Sequence, residues 1–208
     1  MKTDNMNEKY IITIGRQLGS GGREIGKKIA EELSISYYDK ELIYLASKES
    51  GLSREFFEKA DEKASLSFFD NFFNLQYSKN YLCGETLFEI QSDIIKRLSE
   101  KRSCVFVGRC SDYILRENKQ RIDIFITADK EDRIKRTALR KNIDEKEAEL
   151  LNNKVDKKRK EFYNFYSNRG WGRAGSYHLC INSSVLGIND TAQFISEFIR
   201  RKLHNNQI

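Results

Sequence analysis

Apolar positions along this chain follow two rhythms. Short runs dense in β-branched and aromatic residues, Tyr10 to Ile14, Ser36 to Tyr38, Ser103 to Val107, Arg121 to Thr127 and Tyr177 to Ile181, predict five strands. Between and after them, apolar residues recur at three- and four-residue spacing. That spacing predicts helices near Arg23 to Leu33, Lys40 to Ser50, Arg54 to Asp61, Gly84 to Glu100, Cys110 to Glu117, Lys130 to Lys141, Asp144 to Ser167 and Thr191 to Leu203. Strand followed by helix, repeated, predicts an α/β fold: a five-stranded parallel sheet between two helical layers. Right-handed crossovers then bring the carboxyl ends of all five strands to one edge, where such sheets bind ligands.

Two stretches interrupt the alternation. Residues 51 to 100 are too long for a simple crossover and predict a helical excursion with room for a substrate. Within it, Phe68, Phe69, Phe72, Phe73 and Tyr77 recur near helical spacing and read as a local core rather than a base-stacking platform. The second stretch, residues 129 to 170, is rich in cations. Arg133, Arg136 and Arg140 are spaced by three and four and therefore share one helix face, a clamp suited to transferring phosphates.

The first strand runs into IITIGRQLGSGGREIG, residues 11 to 26. Glycines at 15, 19, 21 and 22 let the backbone turn sharply and bring its amides close to an anion, while the following helix aims its positive end at the same point. The expected ligand is a phosphate. A standard phosphate loop reads G-x-x-x-x-G-K-[ST]; with Gly21 as its second glycine, the lysine place holds Gly22 and the hydroxyl place holds Arg23. Arg16, Arg23, Lys27 and Lys28 are the local cations available to compensate, and Arg23, at the helix start, is the candidate substitute. Ser20 is a candidate metal-facing hydroxyl.

Three other strand ends face the same edge. Tyr37-Tyr38-Asp39 closes the second strand, with Asp39 placed either to cap the next helix or to meet substrate. Thr127-Ala128-Asp129 closes the fourth, and Asp129 reads as a helix N-cap. Val107-Gly108-Arg109 closes the third, and an arginine at the buried end of a strand calls for an anionic partner.

Composition narrows the partners. A charged fraction of 33% and a net charge of +6 suit anionic ligands. The basic residues are mixed with acids on several helices instead of forming a continuous stripe, and no zinc-finger, homeodomain or RNA-recognition signature is present, so nucleic acid is not the expected partner. No segment approaches the roughly 18 apolar residues of a membrane span, and MKTDNMNEKY lacks the apolar core of a signal peptide, so a cytoplasmic location is expected. Cys83, Cys104, Cys110 and Cys180 have no C-x-x-C spacing and read as reduced thiols.

Taken in order, the glycine-rich turn, YYDKELI, the long insertion, VFVGRCSDYIL, DIFITADKEDRIKR, KVDKKRKEFYNFYS and YHLCINSSVLGIN resemble the cytidylate kinase-like branch of the nucleoside monophosphate kinases over about residues 10 to 203. The resemblance implies one domain in three parts: a core (about 10 to 50, 101 to 136 and 171 to 204), an acceptor-binding insertion (about 51 to 100) and a lid (about 137 to 170). It implies phosphoryl transfer from ATP with Mg²⁺ to a nucleoside monophosphate such as CMP, or to a related small acceptor. It assigns Gly19, Ser20 and Gly21 to the phosphate loop and Arg109 to the monophosphate. Asp156 and Arg159 fall to sugar and phosphate, and Arg133 and Arg136 to charge on the transferred group.

The departures lie at functional places. Cys110 stands where the family's cytidylate kinases have a base-reading aspartate, with Asp112 two residues on, and Lys40 and Leu45 replace a serine and an arginine after Asp39. With the lysine gone, a nucleotide-binding regulatory module without turnover is the alternative reading. A dinucleotide-binding protein is the third, since Gly19-Ser20-Gly21 opens a G-x-G-x-x-G pattern; its last glycine place holds Glu24.

Overall fold

The structure, a computed structural model, describes residues 9–39 and 81–205, the side chains of 81–87 and 90 excepted. Five strands, β1 (Ile11–Arg16), β2 (Ser36–Tyr38), β3 (Cys104–Val107), β4 (Arg121–Thr127) and β5 (Leu179–Asn182), form one sheet in the order β2-β3-β1-β4-β5, and every pairing is parallel. The described helices are α1 (Gly22–Glu32), α2 (Tyr81–Lys101), α3 (Ser111–Ile114), α4 (Lys130–Lys141), α5 (Glu145–Ser167) and α6 (Ser183–Asn205). The three-layer α/β/α arrangement expected from the alternation is the one observed.

Alternation within the strands decides the layers. Ile12 and Ile14 of β1, with Val105 and Val107 of β3 and Ile122, Ile124 and Ile126 of β4, face α1 and α6, where Ile25, Ile29, Ile195 and Ile199 are fully buried. Ile11, Cys104 and Phe106 face the other way, against Ile94, Ile95 and Leu98 of α2 and Ile114 and Leu115 at α3. Each such isoleucine contributes about 1.5–3 kcal/mol by leaving water, so the isoleucine-rich first and fourth strands hold the centre of the sheet. Thr13 is the polar residue on the second face, and its hydroxyl donates to Asp123 at 2.7 Å, so burial leaves it satisfied.

Several boundaries differ from expectation for local reasons. The third helix spans Ser111–Ile114 instead of reaching Glu117, because Leu115 already leaves helical geometry at φ −97°, ψ 21°. The last helix begins at Ser183, eight residues before Thr191, and is broken at Gly187, whose φ of 75° and ψ of 176° hide its first turn from a periodicity reading. Asp144 caps α5 by accepting from the Glu147 amide at 2.8 Å. Asp129 takes the cap position of α4 without capping it; its carboxylate accepts instead from Asn182 at 2.7 Å. The expected helices Lys40 to Ser50 and Arg54 to Asp61, and the aromatic series from Phe68 to Tyr77, lie outside the described residues.

Candidate functional site at the carboxyl edge of the sheet

Because all strands run one way, the glycine-rich turn, Asp39, Gly108-Arg109 and Asn182-Ser183 meet at one edge. β1 and β3 are neighbours, with Ile14 opposite Val107, so Arg16 and Arg109 each emerge two residues beyond a paired position. The turn itself is shaped by glycine. Gly19 and Gly21 sit at φ 79° and 75°, in the left-handed region. A Cβ on Gly19 would lie 2.3 Å from the Arg133 carbonyl oxygen, so α4 rests directly on the turn. Gly21 precedes α1 without offering a side-chain cap, and the first-turn amides of α1 are left facing the edge.

The third strand ends in an unusual way. Gly108, Arg109 and Cys110 have φ of 81°, 64° and 53°, three left-handed residues in succession, two of them not glycine. Each non-glycine residue there costs about 1–3 kcal/mol, strain that characterises functional turns. Gln91 of α2 holds the Arg109 carbonyl at 3.1 Å, and its other amide atom, Oε1, is buried with no hydrogen-bond partner among the described residues. Cys110 is buried, and burial pushes its thiol well above the ordinary range, with the nearby Asp112 adding to the effect.

The cations are held differently from one another. Arg23 forms an ion pair with Asp39 at 2.7 Å, Arg23 being 57% and Asp39 6% exposed at the side chain, so the pair leans from the helix start toward the end of β2. Tyr37 donates to the Arg23 carbonyl at 3.2 Å; burial and the adjacent Asp39 push its phenol to about 12. Arg133 pairs with Asp156 and donates from Nε to the Leu18 carbonyl at 2.8 Å. Arg136 donates to the Ser183 hydroxyl at 3.2 Å and to the Gly19 carbonyl at 3.4 Å. Arg140 is exposed in the last turn of α4 and stands apart from the other two.

Asp156 of α5 is the hub of these contacts. Its carboxylate accepts from the Leu18 amide at 2.8 Å, from Arg133, and from Arg159 at 3.4 Å, while Arg159 also donates to the Arg16 carbonyl at 3.1 Å. Burial raises its pKa, with the Leu18 amide and the two arginines pulling the other way. Ser20 is fully buried; its hydroxyl donates to Gln17 at 2.9 Å and its carbonyl accepts from Ser183 at 2.7 Å. Asp112, two residues beyond Cys110, is also buried and accepts from Tyr163 of α5 at 2.5 Å. Burial raises its pKa despite that bond.

Arg16 is half-buried, and among the described residues it forms no ion pair. Enclosure lowers the affinity of its guanidinium for the proton, as do the neighbouring charges of Arg159 and Arg109. Three guanidiniums thus converge beside the start of α1, which has no side-chain cap, an arrangement electrostatically complementary to a polyphosphate. Packing keeps positions 19, 21, 22 and 108 as glycine, since an added Cβ would meet the Arg133 backbone, Ile188 or Arg16, while the cations and the uncapped start of α1 suit an anion such as phosphate. These residues do not form a preformed metal cage, since the described residues include no group of three or more His, Cys, Asp or Glu side chains suited to a cation. A divalent cation brought here with a phosphate ligand would take its ligands from phosphate oxygens and water.

Sequence reasoning missed Ser183 and Gln91. Ser183 sits in the INSSVLG segment, where consecutive serines after a strand signal a polar contact at the sheet edge. Nothing local marks Gln91. A separate cavity of about 590 Å³, lined by Arg121, Asp123, Arg169, Arg173 and His178 among others, opens at the opposite, amino-terminal end of β4 and is remote from the glycine-rich turn.

No described helix is long and apolar enough to cross a membrane. Among curated proteins, no sequence matches the chain. Among solved structures, an uncharacterized protein from Eubacterium ventriosum is 31% identical, with a TM-score of 0.70 over 92% of this chain and 99% of that one. A shikimate kinase from Acinetobacter baumannii in complex with shikimate is 18% identical at a TM-score of 0.51, covering 93% and 94% of the two chains. A gluconokinase from Sinorhizobium meliloti is 10% identical at a TM-score of 0.56, covering 95% of each. These last two share the fold. The model of the cytidylate kinase-like family matches residues 11–185, a span that carries the glycine-rich turn, Arg109 and both arginine-bearing helices, and the chain therefore belongs to that family.

Proposed function

We propose that this protein transfers the γ-phosphoryl group of ATP to a small acceptor, with a nucleoside monophosphate of the CMP type as the leading candidate. The observation that carries the reading is the convergence of Arg16, Arg109 and Arg159 beside the amides of the glycine-rich turn, at the carboxyl edge of a parallel sheet. In the reaction an acceptor oxygen bonds to Pγ while the Pβ–O–Pγ bridge breaks and ADP leaves. A phosphate acceptor is already anionic and needs no base, so positioning and charge stabilisation supply the catalysis.

Within this reading, Arg109 meets the acceptor phosphate and residues 51 to 100 complete the acceptor site. Arg133, Arg136 and Arg159 bring the segment 137 to 170 down over the donor as a lid. Mg²⁺, held by the triphosphate oxygens, would supply charge neutralisation of the donor phosphates. The base is held by other contacts than the aspartate expected of cytidylate kinases, because Cys110 stands in its place and is buried and Asp112 is committed to Tyr163. A second reading, nucleotide binding without turnover, is favoured by Gly22 at the lysine place and by the bonds that Arg133 and Arg136 already make to turn carbonyls.

Transfer of ³²P from [γ-³²P]ATP, measured against a panel of nucleoside monophosphates, shikimate and gluconate, separates the two. A labelled product from at least one acceptor supports the kinase. Saturable ATP binding with no product from any acceptor, in the presence of Mg²⁺, supports the regulatory module.

A further inference from the structure

Gly22 and Arg16 are linked by space as well as by sequence. A Cβ placed on Gly22 would lie 2.7 Å from the Arg16 Cβ and 3.1 Å from its Cγ, so the stem of Arg16 fills the volume through which a side chain at position 22 would leave the helix. The head of the same residue reaches the neighbouring strand: a Cβ on Gly108 would lie 1.8 Å from Arg16 Nη1. Arg16 therefore crosses from the end of β1, over the start of α1, to the end of β3. It runs through the gap between the turn and Arg109.

We propose that the cation of this phosphate loop has been transposed, with Arg16 on the strand side supplying the charge that a lysine at position 22 supplies in the standard loop, and with Gly22 kept bare to let it pass. The inference rests on the proposed phosphoryl-transfer reading and names the residue that holds the β- and γ-phosphates in it. Among the described residues, Arg23 is tied to Asp39, and Arg133 and Arg159 to Asp156, whereas Arg16 makes no ion pair and feels the Asp39 carboxylate only at longer range. A partner of opposite charge is what its enclosure calls for. Its planar fork suits two phosphate oxygens at once, a contact that a lysine ammonium makes only as a point charge. The glycine at 108 has the same cause as that at 22, since any side chain there would meet the guanidinium.

The substitutions that test this use the full chain, with Mg·ADP and inorganic tripolyphosphate as titrants in calorimetry and with the melting temperature recorded for each protein. Arg16→Ala is expected to weaken both titrants by roughly 10- to 100-fold, the worth of a charge-assisted contact. The exchange Arg16→Gly with Gly22→Lys, which restores the first glycine and the lysine of the standard loop, is expected to recover most of that loss. Gly22→Ala alone is expected to weaken binding, because it displaces the Arg16 stem. Lys119→Ala, at the far end of the sheet, removes a positive charge with no effect on binding and controls for net charge.

Binding by Arg16→Ala at the wild-type level overturns the transposition while leaving the phosphoryl-transfer reading intact. So does a failure of the double exchange to recover affinity in a protein that melts at the wild-type temperature. Absence of binding of either titrant by the wild-type chain overturns the phosphoryl-transfer reading itself, and the transposition with it.

Discussion

The backbone amide of Leu18 donates to the carboxylate of Asp156 at 2.8 Å, across 138 residues of chain, so the backbone of the glycine-rich turn is held by α5. The same carboxylate pairs with Arg133 and Arg159, whose other donors meet the Leu18 and Arg16 carbonyls. One acid thus fixes the turn, α4 and α5 relative to one another. Asp156→Ala leaves two part-buried guanidiniums and an amide without their acceptor, and is expected to cost about 2–4 kcal/mol of stability, read from urea unfolding. Asp156→Asn, which keeps an acceptor for Leu18, is expected to cost less. Equal midpoints for wild type and Asp156→Ala would show that the hub carries no weight.

Gly19→Ala combines two penalties. The residue lies at φ 79°, and its new methyl would approach a carbonyl oxygen of α4 to 2.3 Å, contact with backbone that has little freedom to yield. The expected loss is about 2–5 kcal/mol from backbone strain and overpacking together. Gly175→Ala is the control, since nothing lies within 4 Å of a Cβ there. Its melting temperature is expected to match wild type.

Asp112 gives a pH dependence whose sign follows from its burial. Its folded pKa is raised above the unfolded value of about 3.9, with desolvation the main cause and the Tyr163 bond opposing it. Its favourable contribution is therefore present below the unfolded value and is lost as pH rises through the folded one. Asp112→Asn, which still accepts from Tyr163, removes that loss. Melting curves between pH 4 and pH 7 are expected to show the variant gaining on wild type as pH rises. Parallel curves would place the titration elsewhere. Tyr163→Phe, which strands the carboxylate, is expected to destabilise the protein by about 1–3 kcal/mol.

Gln91 positions Arg109 through its carbonyl and touches no proposed ligand atom itself. Gln91→Leu is expected to raise KM for the acceptor several-fold while leaving Mg·ADP affinity unchanged, because the donor side of the site is untouched. A parallel fall in donor affinity would mean that the change spreads through α2 instead of acting at the strained turn.

The sheet was legible because its central strands are rich in isoleucine: Ile11 to Ile14 and Ile122 to Ile126 leave few alternatives to a strand buried on both faces. Lys130–Lys141 and Arg121–Thr127 matched their expected bounds because charge and turn signals flank them. The glycine-rich turn at the sheet edge was legible from its glycines. What each cation does was not, since it depends on neighbours far away in sequence: Arg16 on Gly108, Arg133 on Asp156, Arg23 on Asp39. The three-and-four spacing placed Arg133, Arg136 and Arg140 on one face, yet α4 packs only its first two turns against the glycine-rich turn, and Arg140 extends past it. Asp129 looked like a cap because its helix begins with acids, and a strand-end asparagine 53 residues later took its carboxylate.

The measurement that reaches the centre of this account is the crystal structure of the full chain grown with Mg²⁺ and a non-hydrolysable ATP analogue. The β- and γ-phosphates are expected against the amides of residues 19 to 23, with the Arg16 guanidinium forked onto them and Arg109 left on the acceptor side at the end of β3. A triphosphate bound elsewhere, as in the Arg169 and Arg173 cavity at the opposite end of the sheet, with the glycine-rich turn left to solvent, would contradict it.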